Sequence, residues 1–168
     1  MALREILEYP DPILHQSAAP VTEFAADLEG LVDDLADTME AHNAIGLSAP
    51  QLGKLLRVMI INPKELDDDP LVLINPTILE KSLWGFVQES CLSVPGIVGS
   101  VMRATKIKVS AQDMLGSSFE EELSGMPAVC VQHELDHLDG KLFIDRFSLL
   151  GRMRVRYFSK LAGRRRAA

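Results

Sequence analysis

The residues best suited to chemistry are His133-Glu134-Leu135-Asp136-His137. Two histidines four apart on a helix project to one face, one turn apart, so both imidazoles can share a metal ion. The glutamate between them can then reach a water on that ion. The alternative is a polar helix face carrying two unrelated histidines. Open metal sites use three protein ligands and leave one position to water, so a third ligand is needed. Candidates are Cys91, Cys130, His15, His42 and the acids. A further histidine six residues on, the mark of one large metallopeptidase group, is missing because position 143 is Phe. Cys130, among Ala128, Val129 and Val131, reads as a small buried thiol of the core. Cys91 stands in Gln88-Glu89-Ser90-Cys91-Leu92-Ser93-Val94-Pro95-Gly96. It is either a thiolate aimed at the helix from a neighbouring strand or a buried structural cysteine, and its neighbours alone do not choose.

Positioning these groups requires a scaffold. Phe24, Leu28, Leu31, Leu35 and Met39 recur at steps of four and three, which predicts an amphipathic helix from Thr22 to about Ala41, capped by Thr22. Gly46, Pro50 and Gly53 then break regularity and imply a loop or irregular extended segment. Strands are expected at Arg57 to Ile61 and Leu71 to Asn75, each stopped by an Asn-Pro pair, with the acidic turn Glu65 to Pro70 between them. Thr105 to Gln112 alternates as a half-solvated antiparallel strand, turning through Asp113 to Gly116 into Ser118 to Leu123. Ser124 is the expected cap of a helix to about Leu138, with Pro127 in its first turn and Gly140 at its end. That helix carries Met126, Cys130, His133 and His137 on one side. A last helix is expected from Ser148 to Leu161.

The chain has 168 residues, 47% hydrophobic and 24% charged, which fits one globular domain and excludes disordered and fibrous classes. Its net charge of −7 is uneven. Residues 1–146 hold all 24 acids and 10 of the 17 basic residues, about −14, while residues 147–168 carry seven basic residues and no acid. Such a body argues against wholesale nucleic-acid wrapping and leaves the basic end as a local phosphate contact or a solvated helix face. Two cysteines are too few for a disulfide scaffold and suit a reducing compartment. No apolar run long enough for a signal peptide or a membrane helix occurs, so the expectation is a cytoplasmic protein, mature from Met1, with no membrane and no DNA partner.

Three blocks in order, Gly46-Leu47-Ser48-Ala49-Pro50-Gln51, Glu89-Ser90-Cys91-Leu92-Ser93 and Gln132-His133-Glu134-Leu135-Asp136-His137, resemble the signature blocks of the peptide deformylases. The likeness runs from Tyr9-Pro10-Asp11 through Val72-Leu73-Ile74-Asn75-Pro76 to Gly140-Lys141-Leu142-Phe143. It implies an α+β fold, with antiparallel sheets around a central helix bearing the two histidines, an N-terminal amphipathic helix and a C-terminal helix, in one catalytic domain over 1–168. It implies removal of the formyl group from the N-terminal formyl-methionine of newly made polypeptides, releasing formate. The metal ligands would be Cys91, His133 and His137 with a water as fourth, and the ion Fe(II), with Zn, Ni or Co able to replace it. Glu134 would serve as general base and then acid, and the oxyanion would be met by the Gln51 side-chain amide and the Leu92 backbone N–H. Ile45, Gly46 and Leu47 would pair with the peptide as an added strand, Val129 and Cys130 would wall the methionine pocket, and Glu89 would pair with Arg103 near the site.

Asp136 is assigned to support of the helix or to its solvent face, with no catalytic role. The chain departs from the family pattern at Ala44 and Ser90, where glycine is usual, and at Ser48, where alanine is usual. Ser90, beside Cys91, would bear on substrate approach. The rival readings are a weakly active or noncatalytic peptide-binding homologue and a zincin-like metallopeptidase. The basic helix from about Ser148, ending in Arg164-Arg165-Arg166, would suit a ribosome contact.

Overall fold

Apolar residues at helical spacing coil the chain from Ala26 to Ala41 into α1, which buries Leu28, Leu31, Leu35 and Met39. The computed structural model describes residues 4–63 and 70–155. The acidic turn expected over 65–70, apart from Pro70, and the Arg164-Arg165-Arg166 cluster lie outside the described residues. α1 starts later than Thr22 and has no side-chain cap, because Ala25 occupies the cap position. The preceding chain is held elsewhere. Asn75 accepts from the Val21 N–H (2.8 Å) and donates to its carbonyl (2.9 Å), which ties this segment to the sheet before the helix begins.

Five antiparallel strands follow in the order β1 (Gly46–Ser48), β2 (Val58–Ile61), β3 (Leu71–Cys91), β4 (Val94–Gln112) and β5 (Ser118–Ser124), and they lie side by side in that order. The described residues therefore form one sheet where separate sheets were expected. The stretch expected to be a loop or irregular extended segment holds β1, which is extended, and a 3-10 turn, Ala49–Leu52. β3 does not stop at Asn75-Pro76: the register skips from Ile74 to Thr77, and Asn75 takes a left-handed φ of 51°. A bulge thus absorbs the residue that lacks an N–H, and the strand continues. Beyond it β3 and β4 make a long two-stranded ribbon, closed where Cys91 pairs with Val94 across the turn Leu92-Ser93. On β4 the expected alternation holds, with Ile107, Val109 and Ala111 buried. Opposite them, Lys106 and Lys108 reach Glu122 (3.2 Å) and Glu120 (2.8 Å).

Helix α2, Met126–Leu138, is preceded by Gly125 at the cap in place of Ser124 and carries Pro127 in its first turn, where the missing N–H costs no helical bond. Its Ala128, Cys130, Val131 and Leu138 pack into a core with Met59, Ile61, Leu73, Ile107 and Val109 of the sheet. A polar clip sets the helix against β4: the Gln132 amide donates to the Ala104 carbonyl (2.7 Å) and accepts from its N–H (3.2 Å). A second core joins α1 to β2, and a third gathers Leu14, Val94, Val101, Leu142, Phe143 and Val155. After the 3-10 turn Phe143–Arg146, the Phe147 ring lies where a Gly99 side chain would be: a Cβ there would come within 2.0 Å of it. Residues 149–155 are helical, and the rest of the expected last helix lies outside the described residues.

Candidate metal centre and active site

The end of β3 and the middle of α2 bring Cys91, His133 and His137 together, with one ligand atom from each within 4.8 Å of the others. Cys91 Sγ stands 3.2 Å from His137 Nε2, and the two imidazoles lie 5.1 Å apart at 73°. Cys91, whose neighbours in sequence left its role open, sits in this cluster. Cys130 does not: its Sγ donates to the Ile45 carbonyl (3.2 Å), and burial pushes its thiol pKa well up. His42 turns back on its own helix, with Nδ1 2.8 Å from the Thr38 carbonyl, and His15 lies against Tyr9.

One buried guanidinium orders this cluster from behind. Arg103, 1% exposed, donates to both carboxylate oxygens of Glu89 (2.6 and 2.9 Å) and to Asp136 Oδ2 (2.7 Å). Glu89 Oε2 in turn holds His133 Nδ1 at 2.8 Å, which leaves Nε2 to face the cluster. Burial alone would raise the Glu89 pKa, but the bonds from Arg103 and His133 outweigh it and hold the carboxyl at about 2. Asp136 is not on a solvent face. It is buried, and it accepts from Arg146 Nε (2.6 Å) as well as from Arg103. Burial pushes the His137 pKa well below its ordinary value, toward the neutral imidazole that a ligand needs. A thiol and two imidazoles within this span fit one divalent ion with a position to spare.

Glu134, one residue after His133, is buried, and its Oε2 has no hydrogen-bond partner among the described residues. Burial raises its pKa, and only part of this is offset by His133 and the Ser48 hydroxyl. Its Oε1 lies over Gly46: a Cβ built at Gly46 would sit 2.9 Å from that oxygen and 2.5 Å from Cys130 Sγ. Glycine is therefore the residue that lets β1 approach the carboxylate this closely. Gln51 is also buried, and its orientation is set. Its Oε1 accepts from both the backbone N–H and the hydroxyl of Ser48 (2.9 Å each), so its Nε2 faces Cys91 Sγ (3.7 Å) and Ser93 Oγ (3.2 Å).

Ser48 and Ser93 were not singled out as site residues from sequence. Ser48 had a readable signal: Ser48-Ala49-Pro50-Gln51 is a capping box, the serine-to-glutamine spacing that bonds each side chain to the other's backbone. Ser93 had none, since nothing local places a turn serine beside a glutamine 42 residues earlier.

Cys91, His133, Glu134 and Gln51 line a cleft of about 1300 Å³ whose wall also includes Ile45, Gly46, Glu89, Ser90, Leu92, Val129 and Cys130. Leu47 does not line it, because its side chain turns into the core beside α1. β1 pairs with β2 on one side, and its other edge is unpaired among the described residues.

Residues 3–153 match the polypeptide deformylase family. The chain belongs to that family. Its members are metal-dependent hydrolases that remove the formyl group from formyl-methionine of newly made polypeptides, and this chain is an enzyme of that kind. It is 48% identical to a peptide deformylase of Alkalilimnicola ehrlichii over 157 residues, 93% of this chain and 88% of that protein. Among solved structures, a peptide deformylase from Legionella pneumophila superposes with a TM-score of 0.89 at 41% identity, over 97% of this chain and 99% of that one. One from Ehrlichia chaffeensis, solved in complex with actinonin, gives 0.90 at 32% identity over 96% and 98%. No helix among the described residues is long and apolar enough to cross a membrane.

Proposed function

We propose that Cys91, His133 and His137 hold the catalytic metal, Fe(II) in the cell with Zn, Ni or Co able to substitute, in a single catalytic domain spanning 1–168 with α2 at its centre. When bound, the ion supplies Lewis acidity that polarises the formyl carbonyl and lowers the pKa of a water. Every other part is played by the chain. Glu134 takes the proton of the attacking water and passes it to the departing amine, and its burial, which raises its pKa, suits both halves of that task. Gln51 Nε2 and the Leu92 N–H donate to the oxygen that gains charge as the formyl carbon becomes tetrahedral. The capping box holds the Gln51 amide in place for this before substrate arrives. Ile45, just before β1, and the free edge of β1 at Gly46 and Leu47 pair with the substrate backbone, and Val129 and Cys130 border the pocket for the methionine side chain. Ser90 lies on the rim, where a side chain limits how closely substrate approaches. The setting is the cytoplasm, with the basic C-terminal segment against the ribosome.

The convergence of one thiol and two imidazoles within 4.8 Å, beside the unpartnered carboxylate oxygen of Glu134, carries this reading. Anaerobically purified protein loaded with Fe(II), or with Ni(II), should release formate from a short formyl-Met peptide. Glu134→Ala should lower kcat by about 100-fold or more while the metal content is kept. Loss of metal in that variant, or no formate from metal-loaded wild type, would overturn the assignment.

A further inference from the structure

The outward face of the β3–β4 ribbon changes character along its length. Far from the cleft it is an ordinary solvated face: Glu80 pairs with Lys108 and Ser82 with Lys106 in register, and the two lysines reach Glu120 and Glu122 on β5. Nearer the cleft the same face turns apolar. Trp84, opposite the buried Ala104, is 58% exposed, the Phe86–Met102 pair is 73% and 43% exposed, and past the polar pair Gln88–Ser100 comes Val98, opposite Ser90 and 64% exposed. Nothing in the described chain covers these side chains, and large apolar side chains exposed together on a strand face mark a binding surface. It is continuous with the site, since Gln88, Ser90 and Val98, at the inner end of this face, line the cleft.

The geometry points to an exosite: Trp84, Phe86, Met102 and Val98 take apolar side chains of the substrate polypeptide a few residues downstream of its formylated methionine. This rests on the deformylase reading above. An extended chain that leaves the cleft past Ser90 and Gln88 follows β3, whose edge away from β4 is unpaired among the described residues in this stretch. Chain and strand both advance about 7 Å per two residues, so successive outward side chains of the peptide meet Phe86, then Trp84, with Met102 one strand further in beside Phe86. The occupant is a newly made chain, which presents apolar residues before it has a core in which to bury them. Only substrates with such residues gain from the surface, so it sorts nascent chains by their early sequence.

The test uses metal-loaded wild-type enzyme and three formylated peptides: Met-Ala-Ser, the same extended by three serines, and the same extended by two leucines and a serine. The leucine peptide should show a KM about fivefold below that of the serine peptide, and Phe86→Ser/Met102→Ser should erase this advantage while leaving the tripeptide constants unchanged. Equal KM for the two extended peptides, or an advantage that survives the double substitution, would overturn the exosite. Trp84 is the only tryptophan, so its emission reports on the surface directly. A blue shift on adding the unformylated leucine peptide, and none with the serine peptide, supports the proposal. A dimer in sedimentation that dissociates on Phe86→Ser, with peptide preference unchanged, would assign the face to a second copy and refute it. Failure to hydrolyse the tripeptide would fault the deformylase reading instead, and Trp84 emission would still decide the exosite.

Discussion

Replacing Gly46 by alanine tests the close approach of β1 to the Glu134 carboxylate and the role proposed for it. The added Cβ would lie 2.5 Å from Cys130 Sγ and 2.9 Å from Glu134 Oε1. The backbone has little room to retreat, because Gly46 pairs with Ile61 and the Ile45 carbonyl accepts from Cys130. Two costs separate. Overlap with a packed thiol costs stability, about 1–3 kcal/mol as for other overpacked cores, read from urea unfolding. Displacing a carboxylate oxygen at the end of a flexible side chain costs little stability, but moving a proton-transferring group by about 1 Å lowers kcat by about 100-fold. Formate release at saturating peptide, with metal content checked, gives the second number. Adding Cys130→Ala to Gly46→Ala removes the nearer overlap and should return stability to that of Cys130→Ala alone, while kcat stays low because Glu134 is still displaced. A Gly46→Ala enzyme within twofold of wild-type kcat, or a kcat restored by Cys130→Ala, would refute the reasoning.

Arg103→Met removes the guanidinium shared by two buried carboxylates, leaving Glu89 only His133 and Asp136 only Arg146, and should cost about 3–5 kcal/mol in urea unfolding at neutral pH. The Glu89 carboxyl lies at about 2 against an ordinary 4.5, so its contribution is complete above about pH 4.5 and is lost as pH falls toward 2. Without Arg103 that depression shrinks, and the acid-unfolding midpoint should move upward, as followed by circular dichroism. Ser48→Ala removes one of the two donors on Gln51 Oε1 and should lower kcat about fivefold, the worth of one net hydrogen bond. In a Gln51→Ala background, itself about 100-fold down in kcat, the same change should add nothing. Cys91→Ser should sharply lower bound metal per chain by elemental analysis while Cys130→Ser should not, and equal losses would refute the thiol assignment.

Much of the site was legible because it is written locally. The i, i+4 spacing of His133 and His137 needs only a helix, and the alternation around Ile107 and Val109 needs only a half-buried strand. What escaped depends on partners distant in sequence. Asp136 reads as a helix-surface acid until Arg103, 33 residues away, reaches it. The Asn75-Pro76 pair reads as a strand end because the missing N–H is visible, whereas the bulge that absorbs it depends on Asn75 finding Val21 and Gln112. Thr22 and Ser124 read as helix caps from residue type alone, yet neither occupies the cap position.

The Phe147 ring seated on Gly99 gives the Cys91, His133 and His137 cluster a rear wall made of rings. Phe147 meets Phe143 edge to face at 5.5 Å, and Phe143 lies tilted over His133 at 6.0 Å. The base of the C-terminal helix is thus two ring contacts from a histidine of the ligand set, and its seat on β4 adjoins Val98 at the cleft. This sets a boundary for trimming the chain. A cut before Val155 takes a buried side chain out of the third core, and one that also removes Phe147 takes out the back support of His133, so a working enzyme keeps both.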